Sequence, residues 1–185
     1  RMHLLRLFAA ALVLEGALAH GYQVLFGAEL AQVPEVARVA LPNIGASLGA
    51  GSTGARLKEL AVLRTSALLS CRYCVAAHTT VALDIGLSDA EVRALRGETP
   101  WVDAYDDPAE LALLAWIDEV AGGRGAVAAD ITADVKEHFE DYELVELANT
   151  IGVTMMLNRF CTALDLPVSD ETLARLSAES FKVDL

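Results

Sequence analysis

The sequence predicts an all-α protein of about seven to nine helices. Alanine and leucine dominate a chain that is 54% apolar but only 6% aromatic, without the β-branched and aromatic enrichment expected of strands. Few runs alternate with period two, whereas apolar residues recur at helical spacing through most of the chain. Capping residues and glycine or proline breakers separate those runs. At 185 residues the chain is long enough to bury a real core, and no composition break divides it. Residues 1–185 are therefore expected to form a single domain, with 1–40 a less distinctive helical part.

Residues 3–26 read as a first helix. Leu4 to Leu14 resembles a signal-peptide core and Ala17-Leu18-Ala19 a cleavage site. Glu15 interrupts that reading, and Leu18, Tyr22, Leu25 and Phe26 continue a helical pattern, so an amphipathic helix is favoured. Pro34 opens a short second helix expected to end before Pro42. The glycine-rich run from Gly45 to Gly54 reads as a loop; it follows no strand, which argues against a phosphate-binding loop. Leu57, Leu60, Ala61, Leu63, Ala67 and Leu68 give the segment Ala55 to Leu69 a broad apolar face. Ser70 is placed as the N-cap of the next helix, Cys71 to Ile85, which Gly86 ends.

Further on, Ser88-Asp89-Ala90-Glu91 is a capping box opening a short helix to Arg96. Asp107-Pro108-Ala109-Glu110 combines an N-cap, a proline at N1 and an acid at N3, starting a helix that Gly122-Gly123 stops. Residues 130–139 form another. Asp141 then begins the longest periodic segment, through Leu144, Leu147, Ile151, Met155 and Phe160 to Leu164. Pro167 bounds it, and Ser169 caps a terminal helix.

Lys and Arg number 14 against 26 Asp and Glu, for a formal net charge of -12. An acidic surface without a basic stripe repels a phosphate backbone, which argues against nucleic-acid binding. No run of about 20 apolar residues suits a bilayer. Three cysteines cannot all pair within one chain, so the count fits a reducing, cytoplasmic setting with one functional pair. The excess of apolar residues points to a further buried surface, most simply between subunits.

The chemistry-bearing stretch runs from Arg56 to Gly86. Cys71 and Cys74 form a C-x-x-C pair, one helical turn apart. His78 follows Cys74 by one turn, and Glu59 precedes Cys71 by twelve residues. Placement in the first turn of a helix favours thiolate over thiol at Cys71. In the simplest mechanism one thiolate cleaves a peroxide O–O bond, and the sulfenic acid condenses with the second thiol. An external dithiol then reduces the bridge. Glu59 can accept a proton and hold Tyr73 or a water, while His78 orients or deprotonates the attacking thiol. The spacing does not say which cysteine attacks. Two other readings fit the same residues: a structural metal site of Cys71, Cys74, His78 and Glu59, and inert core cysteines. Structural zinc prefers more thiolate and a knuckle bend.

The stretch ELAVLRTSALLSCRYCVAAHTTVALDIGLSDAEV, Glu59 to Val92, resembles the carboxymuconolactone decarboxylase superfamily, in particular its AhpD-like alkylhydroperoxidase branch. A looser resemblance extends through LVELANTIGVTMMLNRFCTALDLP, Leu144 to Pro167. The resemblance implies an AhpD-like helical fold, with its C-x-x-C at the start of a central helix. It also implies a homotrimer or homohexamer working without haem or metal, hence without a cofactor. It makes Cys74 the peroxide-attacking residue and Cys71 the resolving one, more open to the reductant, with Glu59 and His78 in a proton relay. The expected partners are an alkyl or hydrogen peroxide and a dithiol, lipoylated or thioredoxin-like reductant. Tyr73 stands where the branch prototype has histidine. A phenol is a poor base at neutral pH but can donate a hydrogen bond or order a water. A disulfide reductase or redox-stress sensor using the same pair is the alternative. A decarboxylase is less favoured, because no basic cluster matches a dicarboxylated lactone.

Other residues take plainer roles. Cys161 reads as a buried core cysteine, and His20 and His138 as surface or cap residues. Met155-Met156 read as core gap-fillers, and Trp101 and Trp116 as candidates for an interface. Arg64 and Arg72 are assigned to a helix surface or an inter-subunit ion pair, and Asn158 and Arg159 to helix packing or hydrogen bonding.

Overall fold

The computed structural model describes residues 27–49 and 51–183. Among them are helical residues 27–30, eight further α-helices, one 3₁₀ turn and no strand. In chain order the helices are α1 (Pro34–Leu48), α2 (Gly54–Leu68), α3 (Arg72–Asp84) and α4 (Asp89–Leu95), then α5 (Pro108–Gly122), α6 (Ala129–His138), α7 (Asp141–Ala163) and α8 (Asp170–Ala178). The 3₁₀ turn, Trp101–Asp103, lies between α4 and α5. The predicted helix over 3–26 lies outside the described residues.

Helix α2 is the central element and packs on α3, α5 and α7. Its burial is not confined to one stripe: Lys58, Glu59, Leu60, Ala61, Val62, Leu63, Thr65 and Ser66 are all buried. A helix surrounded on this many sides keeps polar groups only where partners await them. The main core joins Leu60 and Leu63 to Leu113, Leu114 and Ile117 of α5, Leu147 and Ile151 of α7, and Leu176 of α8. A second cluster gathers Ala37 and Ile44 of α1 with Tyr73, Val153, Leu157 and all three cysteines. The thiols therefore lie between α1, the start of α3 and the second half of α7.

The caps predicted at Ser88, Asp107 and Ser169 form. Ser88 and Glu91 close their capping box, and Asp107 accepts from the amides of Ala109 and Glu110 ahead of Pro108. Gly86, at φ +92°, ends α3, where Leu87 N–H bonds the carbonyl of Ala82.

Several expectations are corrected. Helix α1 does not stop before Pro42 but carries it internally, and the last residues of α1 take up the first part of the glycine-rich run. Tertiary contacts at its far end override the proline: Lys58 donates to the carbonyls of Ser47 (3.2 Å) and Gly49 (2.7 Å), and Thr150 donates to Ser47 (2.9 Å). Only residues 49–53 separate α1 from α2. Of the methionine pair, Met155 packs on the core, whereas Met156 is 46% exposed. Trp116 is a core residue, and Arg64 pairs within the chain with Asp118, at 2.6 and 2.8 Å.

Lys58 also meets Glu146 of α7 at 2.7 Å, so one buried ammonium ties α1, α2 and α7 together. Lys58, then Ser52, holds the Glu146 carboxyl down from the usual 4.5 to about 2. A carboxylate with a depressed folded pKa contributes stability that is complete above its unfolded value and lost as pH falls through the folded one. Unfolding free energy should therefore decline between about pH 4.5 and 2, and Glu146→Gln should lower stability at pH 7 while flattening that decline. Denaturant melts of both proteins across pH check this; superimposable profiles would remove the clamp.

Candidate active site

The chain between α2 and α3 sets the position of the thiols. Ser70 does not cap α3. It sits at φ +52° as the left-handed residue that ends α2, with its own N–H on Ala67 and the Cys71 N–H on Ser66. This pairing is the Schellman pattern, usually built on glycine. The turn shifts the start of α3 by one residue, so Cys71 is the N-cap and Cys74 the third residue of the helix.

The Cys71 and Cys74 sulfurs lie 2.9 Å apart. Cys71 is held well below the ordinary thiol range by hydrogen bonds from the Cys161 and Cys74 thiols, helped by the Cys74 backbone N–H and the Thr162 hydroxyl. Cys74 is pushed upward, since its thiol donates to the Cys161 and Cys71 sulfurs and burial adds to the penalty on its charge. Both shifts, and the partial positive charge at the helix N-terminus, favour negative charge on the Cys71 sulfur.

Glu59 Oε1 lies 2.9 Å from His78 Nδ1, and both side chains are buried. The acid of α2 and the imidazole of α3 therefore form a connected pair, one turn beyond Cys74. The sequence left Glu59 free to hold Tyr73 or a water; the structure spends one oxygen on His78. Tyr73 is buried in the cluster beneath α1. The expected difference in access between the cysteines does not appear, because Cys71 is 1% and Cys74 2% exposed. Surface is nonetheless close: the Thr162 hydroxyl reaches Cys71, and the Thr162 residue is exposed.

Sequence reasoning missed the third thiol. Cys161 is indeed a buried residue of the apolar cluster, but its sulfur lies within 4.8 Å of both others. Nothing in the local sequence marks it; only the packing of α7 on α3 brings it there. The four-residue metal set considered above does not gather among the described residues, where the compact group is the three sulfurs. Two tetrahedral zinc ligands would stand about 3.8 Å apart, given Zn–S bonds of ~2.3 Å. A 2.9 Å separation suits sulfur–sulfur chemistry better. Asn158, one turn before Cys161, accepts from Ser66 at 3.2 Å, and its Nδ2 has no hydrogen-bond partner among the described residues.

A helical bundle that presents a C-x-x-C pair at a helix start, beside a buried Glu–His pair, defines a dithiol protein of AhpD-like architecture. Residues 34–119 match the sequence model of the carboxymuconolactone decarboxylase family. That match and the helical architecture together support the carboxymuconolactone decarboxylase/AhpD-like superfamily for this chain. Among solved structures it resembles a protein of unknown function from Agrobacterium tumefaciens, provisionally assigned as the antioxidant defence protein AhpD. That match has 25% identity and a TM-score of 0.67, covering 76% of this chain and 97% of the other. An uncharacterised peroxidase-related protein from Ralstonia eutropha JMP134, described as an alkylhydroperoxidase AhpD core, shares the fold at 22% identity and TM-score 0.68, covering 78% and 76%. The debrominase Bmp8 shares it at 18% identity and TM-score 0.66, covering 85% and 87%. No curated protein matches the chain significantly.

Proposed function

We propose that this protein is a thiol-dependent peroxidase that reduces an alkyl hydroperoxide or hydrogen peroxide through a Cys71/Cys74 dithiol–disulfide cycle. The observation that carries the reading is the 2.9 Å contact between two sulfurs at the start of α3. The neighbouring Glu59–His78 pair supports the accompanying proton transfer.

Following the family resemblance, Cys74 attacks. Its proton passes to the Glu59–His78 pair, its sulfur bonds the terminal peroxide oxygen, and the O–O bond breaks to release an alkoxide. That alkoxide leaves as alcohol after taking a proton back. Cys74 is now a sulfenic acid. Cys71, kept as thiolate at the helix N-terminus, attacks the Cys74 sulfur; hydroxide leaves as water and the disulfide forms. A dithiol, lipoylated or thioredoxin-like reductant then attacks the bridge and carries the oxidation away through a mixed disulfide. Tyr73 serves by donating a hydrogen bond or ordering a water. The working form is a cytoplasmic homotrimer or homohexamer.

One equivalent of cumene hydroperoxide should remove two thiols per chain and leave a bridge that dithiothreitol reverses. With dithiol in excess, peroxide consumption should continue beyond one turnover. A single oxidation without turnover would indicate a sensor, and no thiol loss at all would overturn the peroxidase reading. Release of bromide from 2,3,4-tribromopyrrole, the compound held in one Bmp8 structure, without peroxide reduction would move the assignment to reductive dehalogenation.

A further inference from the structure

The sulfurs of Cys71, Cys74 and Cys161 form one buried cluster, each within 4.8 Å of the others, although Cys161 comes from α7. We infer that Cys161 is a third redox thiol of this site, accepting the disulfide from the Cys71–Cys74 pair by exchange to give a Cys74–Cys161 bridge between α3 and α7. The inference rests on the pair forming a disulfide, as in the function proposed above.

The exchange balances within the chain. The Cys161 sulfur attacks the Cys74 sulfur, an S–S bond forms between them, and the Cys71–Cys74 bond breaks with its electron pair leaving on Cys71. Cys161 gives its proton to water, and Cys71 remains a thiolate. No oxidant or reductant is consumed, because one disulfide replaces another.

Three features give the step its direction. First, exchange is faster when the departing sulfur is the more stable thiolate. Cys71 is that sulfur, receiving the Cys74 backbone N–H and the Thr162 hydroxyl at a helix N-terminus. Second, the Cys161 thiol is held protonated mainly by its donation to the charged Cys71. Closing the Cys71–Cys74 bridge removes that charge, the largest influence holding the proton on Cys161, together with the smaller opposing donation from Cys74. Third, Cys161 lies in the last turn of α7, which ends at Ala163 with Asp165 left-handed at φ +48° and the Leu166 N–H on the Cys161 carbonyl. Terminal turns open at lower free energy than helix centres, so the sulfur can reach an in-line approach.

The product is a long-range cross-link that stores the oxidising equivalent away from Cys71. Under sparing reductant the protein would hold its oxidation as an α3–α7 tie and keep a free thiolate near the exposed Thr162.

The experiment uses the unmodified chain. It is oxidised with one equivalent of cumene hydroperoxide or, separately, of diamide, which forms disulfides without peroxide chemistry. Acid quenching, alkylation of remaining thiols and peptide mapping follow. The expected result in both arms is loss of alkylation at Cys74 and Cys161 together, with Cys71 still alkylated and a 74–161 cross-linked peptide present. A 71–161 cross-link would equally support the third thiol while reversing the departing sulfur. Exclusive 71–74 bridging, with Cys161 fully alkylated in both arms, would overturn the inference and leave the peroxidase intact. A Cys161 bridge with diamide but no thiol loss with hydroperoxide would sustain it and sink the peroxidase. In Cys161→Ala, the 71–74 bridge should accumulate instead.

Discussion

Cys74→Ser is expected to lower kcat/KM for hydroperoxide by at least about a thousandfold, the scale seen when a nucleophile is removed from a cooperating catalytic group. The hydroxyl is far less acidic than a thiol and cannot be oxidised to a sulfenic acid. The substitution exchanges one buried polar atom for another of similar size, at a site 2% exposed. Folding should survive, and a preserved helical signal will show that it has. Cys71→Ser should behave differently. The peroxide step persists, but the 71–74 bridge cannot close, so one oxidation leaves a Cys74 sulfenic acid that dimedone traps, or a bridge to Cys161. Rapid-quench measurement of hydroperoxide loss separates the two variants. If Cys71→Ser abolished the first step and Cys74→Ser spared it, the roles would be exchanged. The residence of the cluster's charge on Cys71 would then describe the attacking thiol rather than the resolving one.

The second large effect is expected at Glu59. In Glu59→Gln the side-chain carbonyl can still accept from His78 Nδ1, across the present 2.9 Å, but it can no longer take a proton. The peroxide step should slow by about 10²- to 10⁴-fold, the usual contribution of a positioned acid or base. Stability should change little, because the hydrogen bond survives and one buried charge is removed. The discriminating reading is the pH profile of the single-turnover rate. The variant's rate should rise with pH toward the parent's, as hydroxide takes over deprotonation of Cys74. An unchanged profile would reduce Glu59 to a packing residue. His78→Gln then becomes the deciding variant for whether the imidazole alone supplies the base.

Much of the architecture was legible because it is written in local interactions. The capping box at Ser88, the N-cap at Asp107, the left-handed stop at Gly86 and the apolar period of α7 each act within a turn or two of chain. The pairing of Cys71 with Cys74 belongs to the same class, since i,i+3 residues meet on one turn whatever surrounds them. The contact of Glu59 with His78 was only half legible: both residues stood out, but which partner the carboxylate chose depended on how α2 lies against α3.

The rest required distant residues to meet. Pro42 signals a helix end by its missing N–H, yet α1 continues because Lys58 and Thr150 bind its final carbonyls. Ser70 has the side chain of an N-cap, but the αL turn it adopts serves α2 and hands the cap to Cys71. Cys161 looks like any small core residue until α7 sets its sulfur beside two others. Residue order alone determined the all-helical class, most helix boundaries and the dithiol pair, because these follow from energies decided within a few bonds. Only the folded bundle decided the third thiol and the Lys58 clamp, because burial and long-range contact set their energies.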